Sequence, residues 1–163
     1  MATFRVNDGI DNFANKLEKL AGRTDLYGTI LYEGAKVLAD ACKESIRALP
    51  VQEKDVPGMK RTGITQVQKN DLEESFGIAP MQEKDGVYDI KAGFDGYGSQ
   101  PTKKYPKGLP NAMLARSVES GTSFRQKHPF IRTAVKTAKR PVMDAMQEEL
   151  DEQIQKLNQE GVL

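Results

Sequence analysis

The feature that most constrains this chain is a stripe of apolar residues towards its C-terminal end. Phe130, Ile131, Ala134, Val135, Ala138, Val142, Met146, Leu150, Ile154 and Leu157 recur mainly at steps of three and four. That is the period of an α-helix that turns one face to a core. A helix over 128–159 would be roughly 48 Å long at the usual rise per residue. It cannot bury such a stripe alone, so the chain has to supply long partners. Pro141 falls inside the pattern. Proline has no N–H, and its ring crowds the preceding turn, so the helix should be kinked or broken there. Asp144 and Glu148 would then sit near a fresh helix N-terminus, where acids are favoured.

The partners are expected in two helices over 8–49, after a short strand at Thr3–Val6. In the first, Asn7 or Asp8 offers a cap, Ile10, Phe13, Leu17 and Leu20 share a face, and Gly22 ends it. In the second, Thr24 or Asp25 offers the cap. Leu26, Ile30, Val37, Ala41 and Leu49 form the stripe, widened by Leu31, Leu38 and Ile46, and Pro50 marks the end. Gly34, Ala35, Ala39 and Ala41 are small enough for another element to approach closely. Cys42 on this helix reads as a small buried hydrophobe.

Between these helical ends the composition changes. Residues 51–70 form a basic irregular segment with Lys54, Lys60, Arg61 and Lys69 and turn signals at Pro57-Gly58 and Thr62-Gly63. An unstructured loop of that length is either disordered or functional. A β-hairpin is expected over 72–94. Leu72–Pro80 is its first strand and Lys84-Asp85-Gly86 its turn. In the second strand Tyr88, Ile90, Ala92 and Phe94 alternate with polar or small residues. A second basic loop, 95–108, holds Gly96, Gly98, Pro101 and Pro106 with Lys103, Lys104 and Lys107. A short helix over 110–119 opens at Pro110 and stops at Gly121. The expectation is one α+β domain over 1–163: a small antiparallel sheet packed against two N-terminal helices and a long C-terminal helix.

Lys and Arg number 24 and Asp and Glu 23, so the net charge is only +1. The distribution is uneven. No acid lies between Ser120 and Met143, a span with Arg125, Lys127, Arg132, Lys136, Lys139 and Arg140; Asp144, Glu148, Glu149, Asp151 and Glu152 follow. Such a sequence is either a solvated helix surface or a dipole whose basic end docks on a neighbour's acidic end. Contacts of the second kind close into rings when the rotation allows.

Several classes of function are disfavoured. No apolar run approaches the roughly 20 residues that cross a bilayer. The start, Met1-Ala-Thr-Phe-Arg-Val, has no apolar signal core. A single cysteine fits a reducing compartment and allows no internal disulfide. No phosphate-binding loop, nucleophile elbow or His-Glu-x-x-His motif occurs. With one histidine and one cysteine, a metal site is not expected, and no cofactor is implied. A catalytic Cys42–His128 pair would need a thiol that instead falls on the buried side of a core helix. Basic residues in both loops and after Ser120 suit contact with a phosphate backbone. Tyr97, Tyr105 and Phe124 are too sparse for a stacking platform. A DNA-binding accessory protein without sequence preference is therefore the alternative reading.

The stretch Asn111 to Val135, NAMLARSVESGTSFRQKHPFIRTAV, resembles a phage family. It is that of the tail-completion or head–tail joining (neck) proteins of tailed phages, typified by gene product ten of phage Hong Kong ninety-seven. Members carry an alanine-arginine step, valine-glutamate, a spacer, glycine-threonine, and a proline-phenylalanine-hydrophobic-arginine step that opens a long charged helix. Ala115, Arg116, Val118, Glu119, Gly121, Thr122, Pro129, Phe130 and Arg132 match those positions. Pro50, Thr62-Gly63 and Ser75 also have counterparts. Ser120 replaces a common aromatic, and Thr133-Ala134 a common proline-alanine step.

The resemblance implies a non-enzymatic, tail-terminator-like virion protein, made in the bacterial host cytoplasm and placed at the neck or tail end. It implies a homo-oligomeric ring, sixfold or else twelvefold, that stacks on neck or connector and tail-tube proteins and leaves a channel for DNA. Arg116, Glu119, Gly121, Thr122, Ser123, Pro129, Phe130 and Arg132 would form the motif or interface. Lys54, Lys60, Arg61, Lys103, Lys104 and Lys107 would face the channel or its DNA. Arg116 and Glu119, at i and i+3, can pair with each other or across a subunit boundary.

Overall fold

A computed structural model describes residues 23–159. The expected strand at Thr3–Val6 and the first helix, with its apolar face and the Gly22 stop, lie outside the described residues.

Helix α1, Thr24–Arg47, is the expected second N-terminal helix. Its N-cap is Arg23 rather than Thr24 or Asp25, and no side chain caps it. Asp25 instead lies in the first turn, where the helix dipole favours it, and pairs with Arg23 at 3.1 Å. Leu26, Gly34, Ala39, Cys42 and Ile46 are the buried positions.

Residues 66–75 correct the expected loop and strand. Gln66–Ser75 is helix α2, started by a reciprocal capping box. Thr65 Oγ1 accepts from Gln68 N at 3.1 Å, and Gln68 Oε1 accepts from Thr65 N at 3.2 Å. Leu72 is fully buried on this helix rather than opening a strand.

The expected hairpin forms in two antiparallel pieces. At its base β1 (Phe76–Ile78) pairs with β4 (Ala92–Phe94), and at its tip β2 (Gln82–Lys84) pairs with β3 (Val87–Asp89). The register shifts by one residue between them, with Pro80-Met81 facing Ile90. Proline cannot donate to a ladder, which accounts for the bulge and for the split of Val87–Phe94 into two strands. The turn is Asp85-Gly86, both at positive φ, the pairing a tight two-residue hairpin needs.

Helix α3, Asn111–Ser120, stops at Gly121, whose φ of 73° suits glycine. Helix α4, Phe130–Gln159, runs through Pro141 as one helix, so of the expected kink or break the break does not occur. Pro141 sits on the exposed side, so the carbonyl it frees can bond water. On the other side Gly34 removes an obstacle: a Cβ there would lie 2.6 Å from Met146 Cγ and 3.3 Å from Val142 Cγ1.

The protein is thus α+β, with α1 and α4 as an antiparallel pair. Leu26 at the start of α1 packs with Leu150, Ile154 and Leu157 at the end of α4. At the other end Cys42, Ile46, Leu72, Phe76, Val118 and Phe130 share the main core. The Phe76, Phe94 and Phe130 rings bind the strands to α4 edge-on, with centroids 4.9 and 6.3 Å apart. Each fully buried side chain such as Ile46 or Leu72 contributes roughly 1.5–3 kcal/mol.

Candidate assembly site

The first basic segment is not a free loop. Three stretches far apart in sequence lie side by side: 50–52, 61–64 and 122–126. Ile64 N donates to Pro50 O at 3.1 Å and Gln52 N to Ile64 O at 2.8 Å. On the other flank Arg61 N donates to Phe124 O at 2.9 Å, and Gln126 N to Arg61 O at 2.7 Å. Gln52 ties the loop further, its Oε1 accepting from Thr62 N at 2.7 Å. The Thr62-Gly63 step is fixed by contact. A Cβ on Gly63 would stand 2.9 Å from the Pro50 carbonyl carbon and closer still to its oxygen.

This ladder sets Arg61 directly opposite Arg125. Like charges in that relation repel. Arg125 is nine-tenths buried, and its Nη1 donates to Gly63 O at 2.8 Å. Its Nε is buried without a hydrogen-bond partner among the described residues. Burial, and then the neighbouring Arg61 charge, push its pKa below the usual guanidinium value, with Asp55 acting the other way. Arg61 Nη2 donates to Gln52 O at 2.8 Å. Asp55 Oδ1 lies 3.2 Å from Arg61 Nε, near enough to offset charge but not aligned to accept its proton.

The turn after α3 closes on the same spot. Thr122 Oγ1 accepts from Arg125 N at 3.0 Å, so Thr122 rather than Ser123 serves the freed backbone; Ser123 is exposed. His128 Nε2 lies 2.6 Å from Thr62 O, and its backbone N donates to Val118 O. His128 thus turns to the ladder and not to Cys42. The Cys42 thiol is buried, and burial, reinforced by Glu119, pushes its pKa up to about 11. Among the described residues no group of His, Cys, Asp and Glu could hold a metal ion. None of their helices is long and apolar enough to cross a membrane.

Glu119 does not pair with Arg116. Its carboxylate accepts from Ile131 N at 2.9 Å and Arg132 N at 3.3 Å, and lies 3.5 Å from the Arg132 guanidinium. The first turn of α4 has no acid of its own, so Glu119 supplies the negative charge that its dipole favours. Pro129 leads into that turn, its carbonyl accepting from Thr133 N, and Phe130 is buried beneath. Arg116 is exposed and makes no ion pair among the described residues.

The six expected channel-facing residues divide. Lys54, Lys60 and Arg61 belong to the ladder end, where Lys60 Nζ reaches Thr122 O at 3.4 Å. Lys103, Lys104 and Lys107 lie at the opposite end of α3. Their loop is held by Gly98 N donating to Leu109 O at 2.8 Å and by Asp71 accepting from Ser99 N at 2.9 Å. All three are exposed, and Lys104 Nζ stands 5.5 Å over the Tyr105 ring. Compared with family models, with curated proteins and with solved structures, the chain matches none of them.

Proposed function

We propose that this chain is a non-catalytic structural subunit of a tailed phage or phage-like particle. It is a neck, tail-completion or tail-terminator protein that joins the tail to the head connector as a ring of its own copies, around a channel for DNA. The observation that carries the reading is convergence. The residues that resemble the phage family are scattered over Pro50, Thr62-Gly63, Glu119, Gly121-Thr122 and Phe130. They meet in one structure that fixes the ladder and starts α4. A second support is the continuity of α4, about 45 Å at the usual rise. Its exposed Arg132, Lys136, Lys139 and Arg140 precede exposed Asp144, Glu148, Asp151 and Glu152 on one continuous helix.

Electron cryomicroscopy of particles carrying an epitope tag on this chain tests the reading. Density for a ring at the neck, and unjoined heads and tails when the gene is deleted, are expected. Normally joined particles without the chain overturn it. One observation favours a second reading, the DNA-binding accessory protein: Lys103, Lys104 and Lys107 make no ion pair among the described residues. Salt-dependent retention of DNA by the isolated chain, lost when all three become glutamate, would support it; no retention at low salt removes it.

A further inference from the structure

The ladder end combines a buried arginine, Arg125, and a half-buried one, Arg61, each with an Nε that has no hydrogen-bond partner among the described residues, with large apolar side chains turned to solvent. Met59 is 69% exposed, Phe124 61% and Val56 51%. They lie together because Met59 N donates to Val56 O and Phe124 O accepts from Arg61 N. Arg61 and Arg125 share one nearby carboxylate, Asp55, itself 72% exposed. Lys54, Lys60 and Lys127 add positive charge, and Glu53 is spent on the backbone of Gln66 at 2.8 Å. Aromatic, methionine and arginine side chains around a partly desolvated centre are the composition of a protein interface core. A nucleic-acid groove would instead present its cations outward, as Lys103, Lys104 and Lys107 do.

An acidic complement lies on this same chain. Asp144, Glu148, Asp151 and Glu152 border one shallow groove along the solvent side of α4. The Glu148 side chain makes no ion pair or hydrogen bond among the described residues, and the Asp144 and Glu152 side chains have only exposed ion-pair partners at 3.9 Å. The stripe lies near the α4 end that packs with Leu26, while the ladder adjoins the α4 start, so one copy cannot satisfy both within itself.

We infer that the ladder end receives the acidic stripe of α4 from a second copy. Met59 and Phe124 pack beside that helix while its carboxylates offset the Arg61–Arg125 pair. The contact is head-to-tail, so each copy uses one of each surface, and a closing rotation makes a ring. This rests on the proposed self-assembly but names its two surfaces.

The test uses two variants of the full chain, M59D/F124D at the ladder and E148K/D151K on the stripe. All four side chains lie outside the core, and unchanged circular-dichroism melting checks the fold. In sedimentation the wild type should self-associate, and each variant alone should do so about tenfold or more weakly. An equimolar mixture should recover a dimer and nothing larger, since one intact stripe meets one intact ladder. A monomeric wild type, variants that associate like wild type, or a mixture that stays monomeric would each overturn the inference. Neck rings formed equally well by both variants would sink it and leave the neck reading standing. Recovery by mixing, for a chain absent from particles, would do the reverse.

Discussion

The two basic loops look alike as sequence and behave oppositely in the structure. Residues 51–65 and 95–108 are both rich in lysine, glycine and proline. The first is woven into a three-stretch ladder, directs Arg61 inward onto a carbonyl, and leaves Met59 and Phe124 outside. The second is pinned at its root by Asp71 and Leu109 and holds its lysines out in water. A cation count therefore says little about what a cation does. That depends on whether neighbouring carbonyls lack donors, since a buried carbonyl must be satisfied by something. Arginine suits the task because its several donors reach in a fixed fork.

The largest effect should come from Gly63→Ala. Its methyl would collide with the Pro50 carbonyl, a backbone group that cannot swing aside. We expect a loss of about 3 kcal/mol in urea unfolding. A similar alanine at Gly58, where nothing lies near, meets only a positive-φ penalty of about 1 kcal/mol. Equal losses at the two sites would break the account of the ladder. Arg125→Met comes next, at about 2 kcal/mol, because Gly63 O loses its donor inside the protein. The loss is held down because the repulsion with Arg61 goes too. A stabilised variant would mean that the like-charge pair outweighs the bond.

The sequence carried the fold more fully than the site. The apolar stripes from Leu26 to Leu49 and from Phe130 to Leu157 located α1 and α4, because a period of three and four admits few other structures. The Asp85-Gly86 turn and the Gly121 stop were also readable, since each needs a left-handed backbone. Helix α2 was missed because Leu72 is its only buried residue, which leaves almost no stripe. Thr65-x-x-Gln68 was the available signal, a capping box written in two residues. Pro141 left a kink or a break open in the sequence, and the helix does not break there. A helix with water on the proline side tolerates the lost bond, and sequence does not say which side faces water. The Arg61–Arg125 pairing left no local signal, since it joins residues 64 apart in number. Glu119 was picked out, but its partner proved to be the start of α4 and not Arg116.

Asp71→Ala sharpens the comparison from the side of the second loop. The carboxylate holds Ser99 N and Ser99 Oγ, so its removal should cost about 1 kcal/mol. Hydrogen exchange should quicken across 96–108 and stay unchanged at 61–64, because among the described residues no hydrogen bond links the second loop to the ladder. Faster exchange at Arg61 or Ile64 would show that the two loops are one unit.

The smallest stability effect belongs to the exposed lysines. Replacing Lys103 or Lys107 singly by alanine should change unfolding free energy by no more than about 0.5 kcal/mol, since neither makes an ion pair among the described residues. Lys104 is the most sensitive of the three, because its ammonium lies over the Tyr105 ring. At an exposed site that contact contributes about 0.5–1 kcal/mol at most. Lys60→Ala is the matched change in the first loop and loses a bond to Thr122 O as well. If Lys60→Ala proved as neutral as Lys107→Ala, the inward turn of the first loop's cations would reduce to Arg61 alone. A clear loss at Lys60 would extend it to the ladder's outer edge, and so enlarge the surface that a second copy has to cover.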